Sequence, residues 1–151
     1  MAFVNIGDLL ERAIEFEAKL EQYYAAIRDE SEDNGVRLLT YYFSRHHHHL
    51  KDALNDYSTE KLERVRKIKI KYDINFDPEK AFHLIKTPPR DVRGRELLEA
   101  AVGYDAELVN LYKQILQQPL GPEAQVLIES LIRVEERDIV MIKKMIAMNY
   151  F

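Results

Sequence analysis

Twelve residues near the start of the chain recur, without a gap, 88 positions later. Ala13-Ile14-Glu15-Phe16-Glu17-Ala18-Lys19-Leu20-Glu21-Gln22-Tyr23-Tyr24 returns as Ala101-Val102-Gly103-Tyr104-Asp105-Ala106-Glu107-Leu108-Val109-Asn110-Leu111-Tyr112. Each copy sets an acid seven residues before a tyrosine, Glu17 with Tyr24 and Asp105 with Tyr112. At about 3.6 residues per turn, seven residues make two turns, so acid and tyrosine share one helix face. Ile14, Leu20 and Tyr24 make that face apolar. A carboxylate inside an apolar stripe needs a partner, because burying it alone is costly.

The repeat predicts two similar helical halves. The 151 residues suit one domain spanning 1-151 with a sizeable core. The five Gly and five Pro gather mostly near Gly35, between Pro78 and Gly94, and at Pro119-Leu120-Gly121-Pro122, which leaves long uninterrupted segments for helices. A first helix is expected over about 5-32, capped by Asn5 with Asp8 three residues on. Asp33-Asn34-Gly35 reads as the turn that ends it. A second helix is expected over 36-57 or longer, a third over 94-118, and a fourth over 122-149 with Pro122 in its first turn. The crossover, about 58-93, holds a short helix near 78-85 that starts at Asp77-Pro78-Glu79 and stops before Pro88-Pro89. Residues 67-72 alternate like a strand, yet a lone strand has nothing to pair with, so extended chain is expected there. Two hairpins joined by a long crossover between helices 2 and 3 describe an all-α four-helix bundle.

Aligning the second helix of each hairpin by its apolar stripe brings out a constellation. In the fourth helix, Ile128, Leu131, Ile132, Ile139 and Ile142 face inward, and Glu135 and Asp138 fall in the same stripe. In the second, Leu39, Tyr42, Phe43, Leu50 and Ala53 make the matching stripe, with His46 and His49 in the corresponding places. A register one residue later would bury Thr40, Ser44 and Lys51, and is rejected. Six polar groups thus point inward at similar depth: Glu17, His46, His49, Asp105, Glu135 and Asp138.

On these residues the chain resembles the ferritin-like superfamily, most closely its rubrerythrin-like branch. The likeness covers roughly residues 5-57 and 94-150, and no Cys-rich rubredoxin segment accompanies it. That family carries a Glu on helices 1 and 3 and a Glu-x-x-His pair on helices 2 and 4, all six ligating a dinuclear metal centre. The resemblance implies Glu17 and Asp105 as the first pair of ligands, with His49 and Glu135 matching members of the Glu-x-x-His pairs. His46 stands where a Glu is expected, and Asp138 where a His is expected. A neutral imidazole offers one lone pair to one metal, so His46 cannot span two metals as a glutamate does. Glu135 is left as the bridge, and Asp138 adds a hard oxygen. An asymmetric dinuclear centre and a mononuclear one both fit this set. The implied cofactor is non-haem metal, iron foremost, with manganese or zinc as alternatives. Tyr24 and Tyr112 are expected to donate hydrogen bonds to ligand carboxylates across the bundle; plain core packing is the other reading.

Several function classes fall away. Without cysteine there is no disulfide, Fe–S cluster or thiolate zinc site. The net charge of −4 gives no reason to expect nucleic acid, and the basic run Lys61 to Lys71 is interrupted by Glu60 and Glu63 and reads as a solvated face. No apolar run nears a membrane span, residues 1-5 do not read as a signal peptide, and a cytoplasmic location is expected. Ile139-Val140-Met141-Ile142 wraps the fourth helix in apolar residues, which predicts a homodimer through it. The functional expectation is iron or manganese redox of peroxide, O₂ or ferroxidase type, with the electron donor unspecified. The alternatives are a degenerate ferritin-like bundle serving as a structural or partner-binding module, and a single zinc at His46 and His49.

Overall fold

Asn5 starts the first long helix by a reciprocal cap. Its side-chain oxygen accepts from the Asp8 N–H at 2.9 Å, and Asp8 Oδ2 accepts from the Asn5 N–H at 3.1 Å. Such a cap contributes about 1 kcal/mol. In the computed structural model, which describes residues 4–46, 49–55, 59–81 and 86–148, this helix is α1, Ile6–Glu30. At positions 46, 49, 51, 55 and 81 only the backbone is described. There follow α2 (Asn34–His46), α3 (His49–Asn55), α4 (Thr59–Arg66), α5 (Pro78–Ala81), a 3-10 turn at Pro89–Asp91, α6 (Gly94–Leu116) and α7 (Pro122–Ala147). The described chain is mostly helical, as the all-α expectation requires. α1 packs chiefly on α2, and α6 chiefly on α7.

The helix boundaries follow local chemistry. Ser31 closes α1 through its N–H to the Ile27 carbonyl. Asp33 then caps α2, accepting from the N–H groups of Gly35 and Val36 at 2.8 and 3.3 Å. Gly35 therefore lies in the first turn of α2 instead of ending α1. Gly121, at φ 81°, supplies the left-handed residue that lets Pro122 open α7.

Pro88-Pro89 separates helical segments as expected, and three further expectations are corrected. Residues 69-70 do find a partner: Lys69–Ile70 (β2) pairs antiparallel with Val4–Asn5 (β1), Val4 opposite Ile70. The partner is a two-residue stretch just before α1, too short to show alternation of its own. Thr40 is fully buried, because its hydroxyl donates to the Arg37 carbonyl one turn back at 2.7 Å and so enters the core already satisfied. Ile14 and Ile139, expected inside, are only partly buried. The far end of the short helix expected to reach 85, and Tyr57, fall outside the described residues.

The crossover lies along α1. α4, α5 and the 3-10 turn all contact it. Gly7 permits this, since a Cβ there would meet Arg66 Cβ and its carbonyl oxygen at 3.1 Å. Arg66 pairs with Glu11, Arg64 grips Glu123 with two hydrogen bonds of 3.1 and 2.9 Å, and Arg12 holds Asp73 and the Ile74 carbonyl. Part of the basic run thus clips the crossover to α1 and α7. Phe76 meets Phe16 of α1 edge to face at 5.5 Å, and Phe16 meets Tyr104 of α6 at 5.9 Å. On α7, Ile142 is buried while Val140 and Met141 are exposed, each flanked by charges one turn away: Glu136 and Lys143, Arg137 and Lys144. Among the described residues no helix is long and apolar enough to cross a membrane.

Candidate metal centre

Glu17, Asp105 and Glu135 each fall within about one residue of the midpoint of α1, α6 and α7, helices of 25, 23 and 26 residues. The apolar periodicity turns each of them inward. Glu17 is 5% exposed, Asp105 2%, Glu135 4% and Asp138 5%. Four carboxyl groups therefore occupy the interior at one level of the helices. Asp138 follows Glu135 by one turn and lies on the same buried stripe.

Asp105, Glu135 and Asp138 meet directly. The Asp105 carboxyl is held well above the usual carboxylate range, first by burial, then by its contacts with Asp138 and Glu135. With all three ionised, Asp105 Oδ2 is buried and faces no hydrogen-bond donor among the described residues. A proton kept on Asp105 turns one of these contacts into a hydrogen bond and lowers the repulsion in the other. Such a group of like charges is stable only with protons or cations among the oxygens.

The tyrosines of the repeat cross over. Tyr112 on α6 is buried in the field of Glu17, Glu135 and Asp105, and its phenol is pushed upward, first by burial and then by those charges. This places Glu17 with Glu135 and Asp105 near the Tyr112 hydroxyl, which has no hydrogen-bond partner among the described residues. Tyr24 on α1 is likewise raised by burial and then by Asp105, Tyr104 and Asp138. The repeat thus sets each tyrosine against carboxylates of the other half of the chain.

His46 closes the last described turn of α2 and His49 opens α3. Their side chains, the other two expected ligands, lie outside the described residues, as do His47 and His48. Among the described residues no group of three or more acids or histidines is arranged to hold a metal ion.

One participant escaped the sequence reading. Tyr42, taken there as a member of the apolar stripe, donates its phenolic proton to Asp138 Oδ1 at 3.3 Å, and Met141 Sδ lies 2.8 Å from the same phenolic oxygen. Its pKa is pushed up to about 12, first by burial and then by Asp138, so it stays a donor throughout the neutral range. Spacing held the signal: Tyr42 precedes His46 by four residues and Met141 follows Asp138 by three, each one turn along the same face. Phe43 stands beside it, 5.6 Å from the Tyr42 ring and 5.4 Å from Tyr24, and walls this side of the cluster.

No protein-family model matches the chain, and neither a curated protein nor a solved structure matches it. The chemistry of the site rests on its own residues. Buried carboxylates are hard oxygen donors, suited to Mg²⁺, Mn²⁺ or Fe²⁺, and any imidazole added to them shifts the preference toward transition metals. Asp105 Oδ2 and the Tyr112 hydroxyl, both buried without a described partner, fit a cation and its attendant hydrogen bonds at this level.

Proposed function

We propose that the chain is a ferritin-like four-helix bundle of two hairpins that binds non-haem metal at its centre. The meeting of Asp105, Glu135 and Asp138 deep inside the helices, with Glu17 close by, carries this reading. Glu17, Asp105, Glu135 and Asp138 would hold the ion or ions through oxygen, and His46 and His49 are proposed as the nitrogen donors. Iron or manganese bound there supplies one-electron redox chemistry toward O₂ or peroxide, or ferroxidase chemistry. The chain's own part is to bury the site, to release the Asp105 proton as positive charge arrives, and to orient carboxylate oxygens through Tyr42. Loss of that proton removes the carboxyl-to-carboxyl hydrogen bond it makes and frees the oxygens to turn toward a cation.

Tag-free protein grown with iron, manganese or zinc is expected to retain at least about one equivalent of metal, and joint Glu135→Ala and Asp138→Ala replacement to abolish it. Less than about a tenth of an equivalent under every condition would sink the proposal.

A second reading has its own support. A proton on Asp105 relieves part of the repulsion in the cluster without any metal, as a structural or partner-binding bundle requires. On that reading, changing His46 and His49 together to Gln leaves both folding and metal content unchanged. Pairing of two copies through α7 is also proposed, from the 54% exposure of Val140. Light scattering at micromolar protein is expected to give a dimer and Val140→Glu a monomer; a monomeric mass for the unaltered chain would dismiss the pairing.

A further inference from the structure

Among the described residues, Tyr42 joins the buried acids to an oxidisable surface atom. Its hydroxyl has one proton and two acceptors, Asp138 Oδ1 at 3.3 Å and Met141 Sδ at 2.8 Å. Asp138 is 5% exposed, whereas Met141 is 46% exposed. A thioether is a weak acceptor and a sulfoxide oxygen a strong one, so oxidation at sulfur changes which acceptor wins the phenolic proton.

We propose that Met141 is a modification site for hydrogen peroxide, and that its sulfoxide draws Tyr42 away from Asp138 and loosens the seam between α2 and α7. In the step itself a lone pair on Sδ attacks one peroxide oxygen and the O–O bond breaks. The sulfur keeps that oxygen and loses two electrons. The departing hydroxide takes the proton from the transferred oxygen and leaves as water, so peroxide is reduced by the same two electrons. A sulfoxide reductase would reverse the change. Loss of the Tyr42 hydrogen bond to Asp138 Oδ1 then weakens the packing around it.

Met148 differs in a telling way. It is more exposed, at 66%, and no described hydrogen bond ties it to the acid cluster. It therefore reports oxidation by exposure alone. The proposal rests on the Tyr42 geometry and not on bound metal. Val140 and Met141 point about 100° apart around α7, so a dimer through Val140 leaves Met141 on another face.

The test uses metal-free protein treated with dilute hydrogen peroxide, followed by peptide mapping and thermal unfolding. Unaltered protein is expected to gain oxygen at Met141 as well as Met148 and to lose about 3 °C in Tm. Met148→Leu should show the same fall, and Met141→Leu none. Tyr42→Phe should still gain oxygen at Met141 yet show no fall, which separates the switch from simple damage. The proposal is overturned if Met141 stays unoxidised while Met148 reacts, or if Met141→Leu or Tyr42→Phe falls as far as the unaltered chain. None of these readouts depends on metal content, so failure of the metal proposal leaves the result interpretable.

Discussion

Metal-free protein is expected to lose stability as pH rises from about 5 to about 8, at up to about 1.4 kcal/mol per pH unit, and Asp105→Asn to remove most of that slope. The sign follows from the direction of the shift. Asp105 holds its proton more tightly folded than unfolded, because burial and then the Asp138 and Glu135 carboxyls oppose its charge. Its contribution is present at low pH, below the ordinary aspartate range. It declines as pH climbs toward the raised folded value, where the folded chain must give up the proton. Asparagine keeps the shape, carries no charge and offers an N–H to the neighbouring carboxylates, so at pH 8 the variant should be the more stable protein. Urea titrations across that pH range decide the matter. A flat profile for the unaltered chain, or an equal slope in the variant, would remove the protonated cluster from the account. Divalent cation should reverse the trend, because the ion replaces the proton and binds more tightly as pH rises.

The second large effect is at Phe16. This side chain is fully buried and touches rings from two directions, Phe76 of the crossover and Tyr104 of α6. Phe16→Ala is expected to cost about 3–5 kcal/mol, from lost burial plus the cavity left among rings that cannot collapse onto it. Phe16→Leu should recover more than half of that. Denaturant unfolding at pH 5, where the acid cluster is best satisfied, isolates the packing term. A loss below about 1 kcal/mol would mean that the three rings do not pack as described.

The sequence revealed elements where periodicity was long and caps were local. Asn5 with Asp8, Pro122 after Gly121, and the inward placement of Glu17, Asp105, Glu135 and Asp138 could all be read from spacing. What escaped depended on partners distant in the chain. Lys69–Ile70 becomes a strand only because Val4–Asn5 lies beside it. Thr40 looks misplaced inside a core until its hydroxyl is seen to use a carbonyl of its own helix. Tyr42 counts as apolar in a periodicity plot, and only the approach of α7 gives its hydroxyl a task. The raised Asp105 carboxyl needed three carboxyls from two helices in contact, and no linear spacing shows how closely they meet.

The strap formed by the crossover sets the order in which the molecule opens. It is held by surface ion pairs, each adding roughly 0–1 kcal/mol, by a two-residue ladder and by the buried side chains of Val65, Ile70, Ile74, Phe76 and Val92. Local opening of such a segment costs the burial of those side chains, up to the free energy of global unfolding. When the strap lifts, it uncovers α1 at Phe16, the residue beside Glu17. Phe16 is thus where the crossover and the acid-bearing face of α1 share one side chain's packing.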